Sequence, residues 1–153
     1  MNPDLAVLFC LDEPRYAIPF SVVECVVRAA EYTPLPRAPE HVLGIVDFHG
    51  QIVPVMDLRS LFRLPTRIIS CDDRFLMVRT TRRLLALLVD QVIGIHDLPA
   101  GTIADAAMAL PLADGLQGVA RLDDGLILIC DVDRFLSQEE ERTLDGAMAE
   151  GTR

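Results

Sequence analysis

A nineteen-residue segment in the first half of the chain recurs without a gap 74 residues later. Residues 44–62 read GIVDFHGQIVPVMDLRSLF and align with GVARLDDGLILICDVDRFL at residues 118–136. A fainter copy relates Ala17-Ile18 to Ala86-Leu87 at an offset of 69. Each copy predicts two strands, an irregular link, a hairpin and a short helical turn. A unit of about 50 residues is hard to stabilise alone, so the repeat predicts two units packed against each other.

Short apolar segments separated by Gly, Asp and Pro clusters predict a chain made mostly of β-strands. Their regular spacing favours closed or nearly closed small barrels over a βαβ sheet. Pro54 falls inside one of these segments, which indicates an edge or a bulge there. The predicted strands are residues 5–11, 15–19, 22–28, 44–49, 51–56, 74–80, 84–90, 92–96, 116–122 and 126–131.

Helix signals are few, and the strongest lies near the C-terminus. Ser137 is followed three residues later by Glu140, which makes a capping box at the start of SQEEERTLDGAMA. Asp57 is placed to cap a short helical turn through LRSLF, and Asp131 is its equivalent in the second copy. By the same repeat, His49-Gly50 corresponds to the turn of the second hairpin at Asp123-Asp124-Gly125.

The charge and apolar content of the chain limit the kinds of molecule that it can bind. The formal net charge is −9, and Arg82-Arg83 is the only adjacent basic pair, which argues against nucleic-acid binding. The longest apolar run, LLALLV at residues 84–89, is far too short to insert into a membrane. The start MNPDLAVLFCL lacks the basic region of a targeting signal. We therefore expect a cytoplasmic protein with protein partners.

No pattern of catalysis or metal binding is present. The three histidines lack metal-ligand spacing, and no nucleophile or phosphate-binding motif occurs. The four cysteines form no C-x-x-C pair; Cys10, Cys25 and Cys130 lie in apolar segments, where a thiol packs as a small hydrophobe. We expect no enzymatic activity, no metal and no cofactor. A hydrolase built on His49 with Asp47 or Asp57 would require a histidine–carboxylate hydrogen bond in a concave site.

Several motifs in a fixed order carry a resemblance to a known family. They are YAIP (16–19), LPRAP (35–39), VLGIV (42–46), GQIVPVMDL (50–58), LALLVDQV (85–92) and the closing repeat at 118–136. Taken together, they resemble the CheW-like domain family over nearly the whole chain. The resemblance implies an all-β fold of two intertwined five-stranded SH3-like barrels plus a C-terminal helix. We expect a single domain over residues 1–153, with one barrel at roughly 13–66 plus the C-terminal helix and the other at roughly 67–136 plus the N-terminal strand.

The resemblance also implies a function. Family members bridge the cytoplasmic tips of methyl-accepting chemoreceptors to the regulatory domain of a CheA-type histidine kinase, without enzymatic activity. Carried over to this sequence, the expected receptor contacts are Val23, Cys25, His49 and Ile95, and the expected kinase contacts are Phe20 and Val26. Gly44, Gly50, Asp57 and Asp131 fall on positions expected to form turns and helix caps.

Two positions depart from the family pattern. Family members usually carry Asn-Leu-Arg-Gly at the first hairpin, where this sequence has Asp47-Phe48-His49-Gly50. An arginine supplies a permanent charge and a planar fork that a histidine lacks. A glutamate is common in the family where Cys25 stands. These departures leave open a variant coupler in a chemosensory pathway unrelated to motility. A small-molecule sensor that uses the groove between the barrels is a further alternative, and it would need polar groups converging in a cavity.

Overall fold

A computed structural model describes residues 5–98, 103–105, 115–122 and 125–151, with the backbone alone for 103–105 and 151. Two short helices, α1 (Leu58–Leu61) and α2 (Gln138–Gly151), accompany the strands, and single 3₁₀ turns cover Phe20–Val22 and Val132–Arg134. No helix among these residues is long and apolar enough to cross a membrane. The strands are β1 (Leu5–Cys10), β2 (Arg15–Pro19), β3 (Val23–Arg28), β4 (Val42–Phe48), β5 (Gln51–Met56), β6 (Arg74–Arg79), β7 (Leu84–Val89), β8 (Gln91–Asp97), β9 (Ile103–Asp105), β10 (Leu116–Leu122) and β11 (Gly125–Cys130).

The strands form two sheets, which confirms the predicted all-β fold. The first barrel has the strand order β3-β6-β7-β5-β4. The chain beyond β3 returns to β4, where Thr33 and Ile45 exchange backbone hydrogen bonds of 2.9 and 2.8 Å, and this bridge closes the sheet. The second barrel has the order β8-β1-β2-β11-β10-β9. Its sixth strand, β9, follows β8 along the chain and pairs with β10, so it occupies the place that Thr33 has in the first barrel.

The two halves of the repeat exchange strands. β2 pairs in parallel with β11, with Ala17 opposite Ile129, and β7 pairs in parallel with β5, with Ala86 opposite Val55. These two registers are equivalent under the offsets of 69 and 74 that relate the copies. Each copy therefore supplies a strand that completes the sheet of the other, which gives the intertwined arrangement.

The sheets divide the chain differently from the sequence expectation of a boundary near residue 66. The first barrel is formed by the strands β3 to β7, and the second by β1 and β2 together with β8 to β11. The difference arises because β6 pairs with both β3 and β7 and so stays with the first barrel. The sequence repeat marks equivalent strands, but it does not say which sheet each strand joins.

Apolar side chains fill the interior of each barrel and the contact between them. Between the barrels, the Tyr16 ring stacks on Phe9 and Phe62, with ring centroids 5.6 and 5.1 Å away. Full burial of a large apolar side chain contributes about 1.5–3 kcal/mol, so this contact is a major source of stability. The first interior is lined by Val53, Val55, Phe75, Met77, Leu84 and Ala86. The second is lined by Ala6, Leu8, Ala17, Leu98, Ala120, Ile127 and Ile129.

Helix α2 begins at the predicted capping box. The Glu140 backbone N–H donates to Ser137 Oγ at 3.1 Å, and the Ser137 N–H donates to Glu140 Oε1 at 2.9 Å. Leu144 on α2 is fully buried in the core between the barrels. Arg83, in the turn between β6 and β7, donates to the buried Glu141 at 2.7 Å. The helix is thereby fastened to the first barrel by packing and by an ion pair.

Candidate interaction surfaces

The first candidate surface follows the edge strands β3 and β8, which occupy equivalent places in the two barrels. Each contains a β-bulge at the same position of the repeat, at Glu24 in β3 and at Ile93 in β8. Two residues after each bulge stands an exposed aliphatic side chain: Val26 is 41% exposed and Ile95 is 55% exposed. Bulges at sheet edges redirect side chains and limit further pairing. The fold therefore presents matched apolar positions on the edges of both barrels.

Val26 and Ile95 lie at the rim of the core between the barrels. Val26 is opposite Leu76 on β6, and Ile95 is opposite Val7 on β1. Both opposing residues belong to the apolar cluster that joins the barrels. An apolar side chain of a partner that covers Val26 or Ile95 would pack next to the apolar core between the barrels.

The remaining residues expected on β3 and just before it have different environments. Phe20 is 42% exposed in the 3₁₀ turn before β3. Val23 is half-buried against the core between the barrels. Cys25 instead packs on the interior cluster of the first barrel, and its burial, followed by the charge of Glu24, raises the pKa of its thiol. Cys25 thus fills the barrel interior, whereas Phe20 and Val26 face outward.

His49 lies at the tip of the first hairpin, as the repeat predicts. Phe48 and Gln51 are the last pair of the ladder, so His49 and Gly50 form a two-residue turn. Both have positive φ, +53° and +85°, which is the conformation of a type I′ turn. The Asp47 side chain accepts the Gly50 N–H at 2.8 Å and fastens the turn. The exposed His49 ring stands edge-on to the Phe48 ring at 4.3 Å.

The geometry offers no support for a hydrolase at this hairpin. The Asp47 carboxylate binds the turn backbone, and Asp57 accepts the Ser60 N–H at the start of α1. His49 has no hydrogen bond to a carboxylate among the described residues, and its side chain is exposed at a tip rather than held in a concave site. Within the same part of the chain, no group of three or more His, Cys, Asp or Glu residues could hold a metal ion.

A histidine does contact a hydroxyl elsewhere, at His41 and Ser60. His41 Nδ1 lies 2.7 Å from Ser60 Oγ. The His41 carbonyl also accepts the Asp57 N–H at 2.8 Å. Both bonds connect the turn before β4 to the start of α1, and the equivalent backbone bond in the second repeat runs from Asp131 to Gly115. The contact between His41 and Ser60 therefore has a structural role, since it holds the β4–β5 hairpin against α1.

The turn and cap residues have definite structural tasks. Asp57 caps α1 through the Ser60 N–H, and Asp131 caps the following 3₁₀ turn through the Asp133 N–H. Gly44 lies against the Thr33–Ile45 closure, where an added Cβ would collide with the Thr33 carbonyl and approach the Tyr32 ring to 2.8 Å. Gly50 has open space around it, and its positive φ is what favours glycine there.

An ion-pair network not anticipated from the sequence joins the two barrels. The Arg59 guanidinium, whose side chain is only 10% exposed, donates to Asp12 at 2.8 and 3.1 Å and to Asp90 at 2.5 Å. Arg67 donates to the other oxygen of Asp90 at 2.5 Å and to Asp73 at 2.7 Å. In the sequence, Asp90 directly follows the LLALLV run and Arg59 lies two residues after the helix cap Asp57. Neither position indicates that the two side chains form an ion pair.

The ion pairs shift the pKa values of the side chains that form them. Hydrogen bonding to Asp12 and Asp90 raises the pKa of Arg59 despite its burial. Burial would raise the pKa of Asp90, but hydrogen bonds from the Asp12 N–H, Arg59 and Arg67 outweigh it and hold that pKa below the ordinary value. Asp90 is therefore a carboxylate stabilised in its charged form.

Comparison with known proteins decides the family. A family model described as a CheW-like domain matches residues 5–140. The chain belongs to the CheW-like domain family. It is 27% identical over 142 residues to the chemotaxis protein CheW of Klebsiella aerogenes, which covers 90% of this chain and 84% of that protein. It is 26% identical over 132 residues to the chemotaxis protein CheW of Helicobacter pylori, which covers 86% of this chain and 80% of that protein.

A solved structure agrees with this assignment. The crystal structure of the scaffolding protein TtCheW from Thermoanaerobacter tengcongensis matches with a TM-score of 0.81 at 27% identity. The match covers 90% of this chain and 95% of that chain. CheW-like proteins of this type are scaffolding adaptors of chemotaxis signal transduction and are not enzymes. The CheW-like chain is thus a protein that works by binding, which agrees with the surfaces described above.

Proposed function

We propose that this CheW-like chain couples the cytoplasmic tip of a methyl-accepting chemoreceptor to the regulatory domain of a CheA-type histidine kinase, in the cytoplasm. The observation that carries the proposal is the pair of equivalent exposed residues Val26 and Ile95, one on the edge strand of each barrel. A coupler must hold two partners at once, and an exposed aliphatic side chain on the edge strand of each barrel offers one anchor to each partner.

The receptor face comprises Ile95 with Val23 and His49. Ile95 supplies exposed aliphatic surface at the rim of the core between the barrels. Val23 is partly covered by that core, so it contributes only its accessible edge. His49 stands at a fixed turn and offers a ring in place of the arginine that the family usually carries. Cys25 is left out of this face because its side chain packs inside the first barrel.

The kinase face comprises Phe20 and Val26 on the first barrel. Both are exposed, and removing their apolar surface from water on binding is favourable. The turn Phe20–Val22 leads directly into β3, so Phe20 is held by the turn and Val26 by the strand that follows it. An anchor on the strand and another in the turn that leads into it are held in place before binding, which reduces the entropy lost on binding.

The chain acts without making or breaking a bond. Two receptor states that contact the receptor face differently change the free energy of the kinase complex held at the other face, which is the definition of allosteric coupling. Arg59 pairs with Asp12 and Asp90 and so holds the second barrel, which carries Ile95, against the first barrel, which carries Phe20 and Val26.

Paired variants test the proposal. Ile95→Ser is expected to weaken binding of a purified receptor cytoplasmic fragment by about tenfold or more, and Val26→Ser to weaken binding of the kinase regulatory domain equally. Leu126→Ser is the matched control, since Leu126 is an exposed aliphatic residue on neither proposed face. Titration calorimetry against each partner gives the affinities. If Leu126→Ser impairs both complexes as much as the other two variants do, the assignment of faces is wrong.

A further inference from the structure

A second surface lies at the other end of the first barrel, away from His49. It is a groove of about 730 Å³, and its apolar walls come from Tyr32, Pro34, Leu43 and Leu88. Leu43 lies near the start of β4 and His49 follows its end. A strand of this length spans roughly 20 Å, so the groove and the hairpin tip are well separated. None of the residues of the receptor and kinase faces lines the groove.

One rim of the groove is a loop that holds an aliphatic side chain in water. Ile68 is 90% exposed. Its loop is fixed on both sides: Arg67 is paired with Asp73 and Asp90, and the Ser70 N–H donates to Asp73 at 2.8 Å. Ile68 is therefore presented by a tied segment, and covering it would bury a large apolar surface without first ordering the loop.

The groove carries an excess of negative charge. Four carboxylates line it, at Glu31, Asp57, Asp73 and Asp90, against the two guanidinium groups of Arg59 and Arg67. Both arginines are already engaged, since they bind Asp12, Asp73 and Asp90. Glu31 is exposed and makes no ion pair within the described part of the chain.

We propose that this groove is a docking site for a protein segment that presents an aliphatic or aromatic side chain next to a lysine or arginine. The apolar side chain lies between Tyr32, Leu43 and Leu88 and is covered by Ile68. The adjacent cation pairs with Glu31, which is the exposed carboxylate of the groove. An acidic segment is disfavoured because the carboxylates would repel it and both arginines are already paired with carboxylates of this chain.

The proposed site goes beyond receptor and kinase coupling, because it lies at the opposite end of the barrel from His49 and shares no residue with either face. It gives the chain a third binding surface, for a partner recognised by charge and by one apolar anchor. A contact made by one apolar anchor and one ion pair is expected to be weak and reversible.

An array of immobilised hexapeptides with all combinations of apolar, basic, acidic and neutral residues tests the site with the full chain. Peptides that join a large apolar residue to Lys or Arg should be retained, and Glu31→Lys or Ile68→Ser should reduce their retention about tenfold. Both substituted residues are exposed, so thermal unfolding should match the wild type. Glu139→Lys and Leu126→Ser, at exposed positions outside the groove, should retain the same peptides as the wild type.

Three outcomes would overturn the proposal. One is retention without preference for basic-apolar peptides, and another is unchanged retention by both groove variants. The third is loss of kinase regulatory domain or receptor fragment binding by Glu31→Lys, which would make the groove part of a coupling interface instead of a separate site. The coupling proposal is judged by binding of those two partners, so the failure of one proposal can be told from the failure of the other.

Discussion

Arg59 donates a hydrogen bond of 2.5 Å to Asp90 at the place where the chain leaves the first barrel for the second. Arg59 stands on α1, and Asp90 is the single residue between β7 and β8. The same guanidinium holds Asp12, in the turn between β1 and β2 of the second barrel. One buried cation thus ties together three segments that have to stay in place for the exchange of strands.

Replacing Asp90 with asparagine should lower stability and change its dependence on pH. The pKa of Asp90 lies below its ordinary value of 3.8 in the folded protein, so the unfolded chain takes up the proton first as the pH falls. Its contribution is therefore present above about pH 4 and is lost as the pH falls through the lower folded pKa. At pH 7, Asp90→Asn should cost about 1–3 kcal/mol, measured by urea unfolding.

The control for this prediction is Asp72→Asn, at an exposed carboxylate outside the network. Urea unfolding between pH 3 and pH 7 should give a shallower dependence for Asp90→Asn than for the wild type, with Asp72→Asn following the wild type. A slope for Asp90→Asn as steep as that of the wild type would show that Asp90 is not charged more readily in the folded state.

Gly44→Ala should destabilise the first barrel. The new methyl group would meet the Thr33 carbonyl, a backbone atom that cannot move without opening the closure. Overpacking of this kind costs about 3 kcal/mol, read from the midpoint of chemical unfolding. Gly146→Ala is the matched control, because nothing lies near that glycine in α2 and the helix should gain about 1 kcal/mol. Equal stability of the two variants would contradict the closure.

The first hairpin predicts an order of stability for substitutions at His49. Asparagine adopts the left-handed conformation more readily than alanine, so His49→Asn should be about 1 kcal/mol more stable than His49→Ala. Thermal unfolding followed by circular dichroism measures the difference. Comparable melting of the two variants would mean that the turn can relax to another conformation. His49→Asn is also the better variant for receptor binding, since it removes the ring while keeping the turn.

Removing Arg83 should loosen α2. The loss leaves Glu141 buried without its cation, which costs about 3 kcal/mol. Arg142→Ala is the control, at an exposed position of the same helix, and should change stability by less than about 0.5 kcal/mol. Hydrogen exchange of the α2 amides should accelerate in Arg83→Ala and not in the control. Protection of α2 that persists in Arg83→Ala would show that packing of Leu144 alone holds the helix.

Most of the architecture could be predicted from the repeat in the sequence. It related Val55 to Ile129 and Ala17 to Ala86, and these residues occupy matching registers in the two barrels. The capping box at Ser137 and the caps at Asp57 and Asp131 could be derived from local spacing, because a cap depends on residues a few positions apart.

Other features depend on pairings between distant segments and could not be derived in this way. The assignment of β6 to the first barrel rests on its hydrogen bonds with β3, and the two strands are separated by the whole β4–β5 hairpin. A bulge at Glu24 turns Cys25 into the barrel interior, a shift of one residue that reverses the direction of a strand side chain. Likewise, the partners of Arg59 come from turns 47 and 31 residues away.

The central claim, that one chain bridges two partners, is tested most directly by a three-component pull-down. A receptor cytoplasmic fragment is immobilised, and the regulatory domain of the kinase is added with and without the full chain. We predict that the kinase domain is retained only when the chain is present, and that either Ile95→Ser or Val26→Ser strongly reduces its retention. Failure of the wild-type chain to retain the kinase domain, although both partners are folded, would contradict the account.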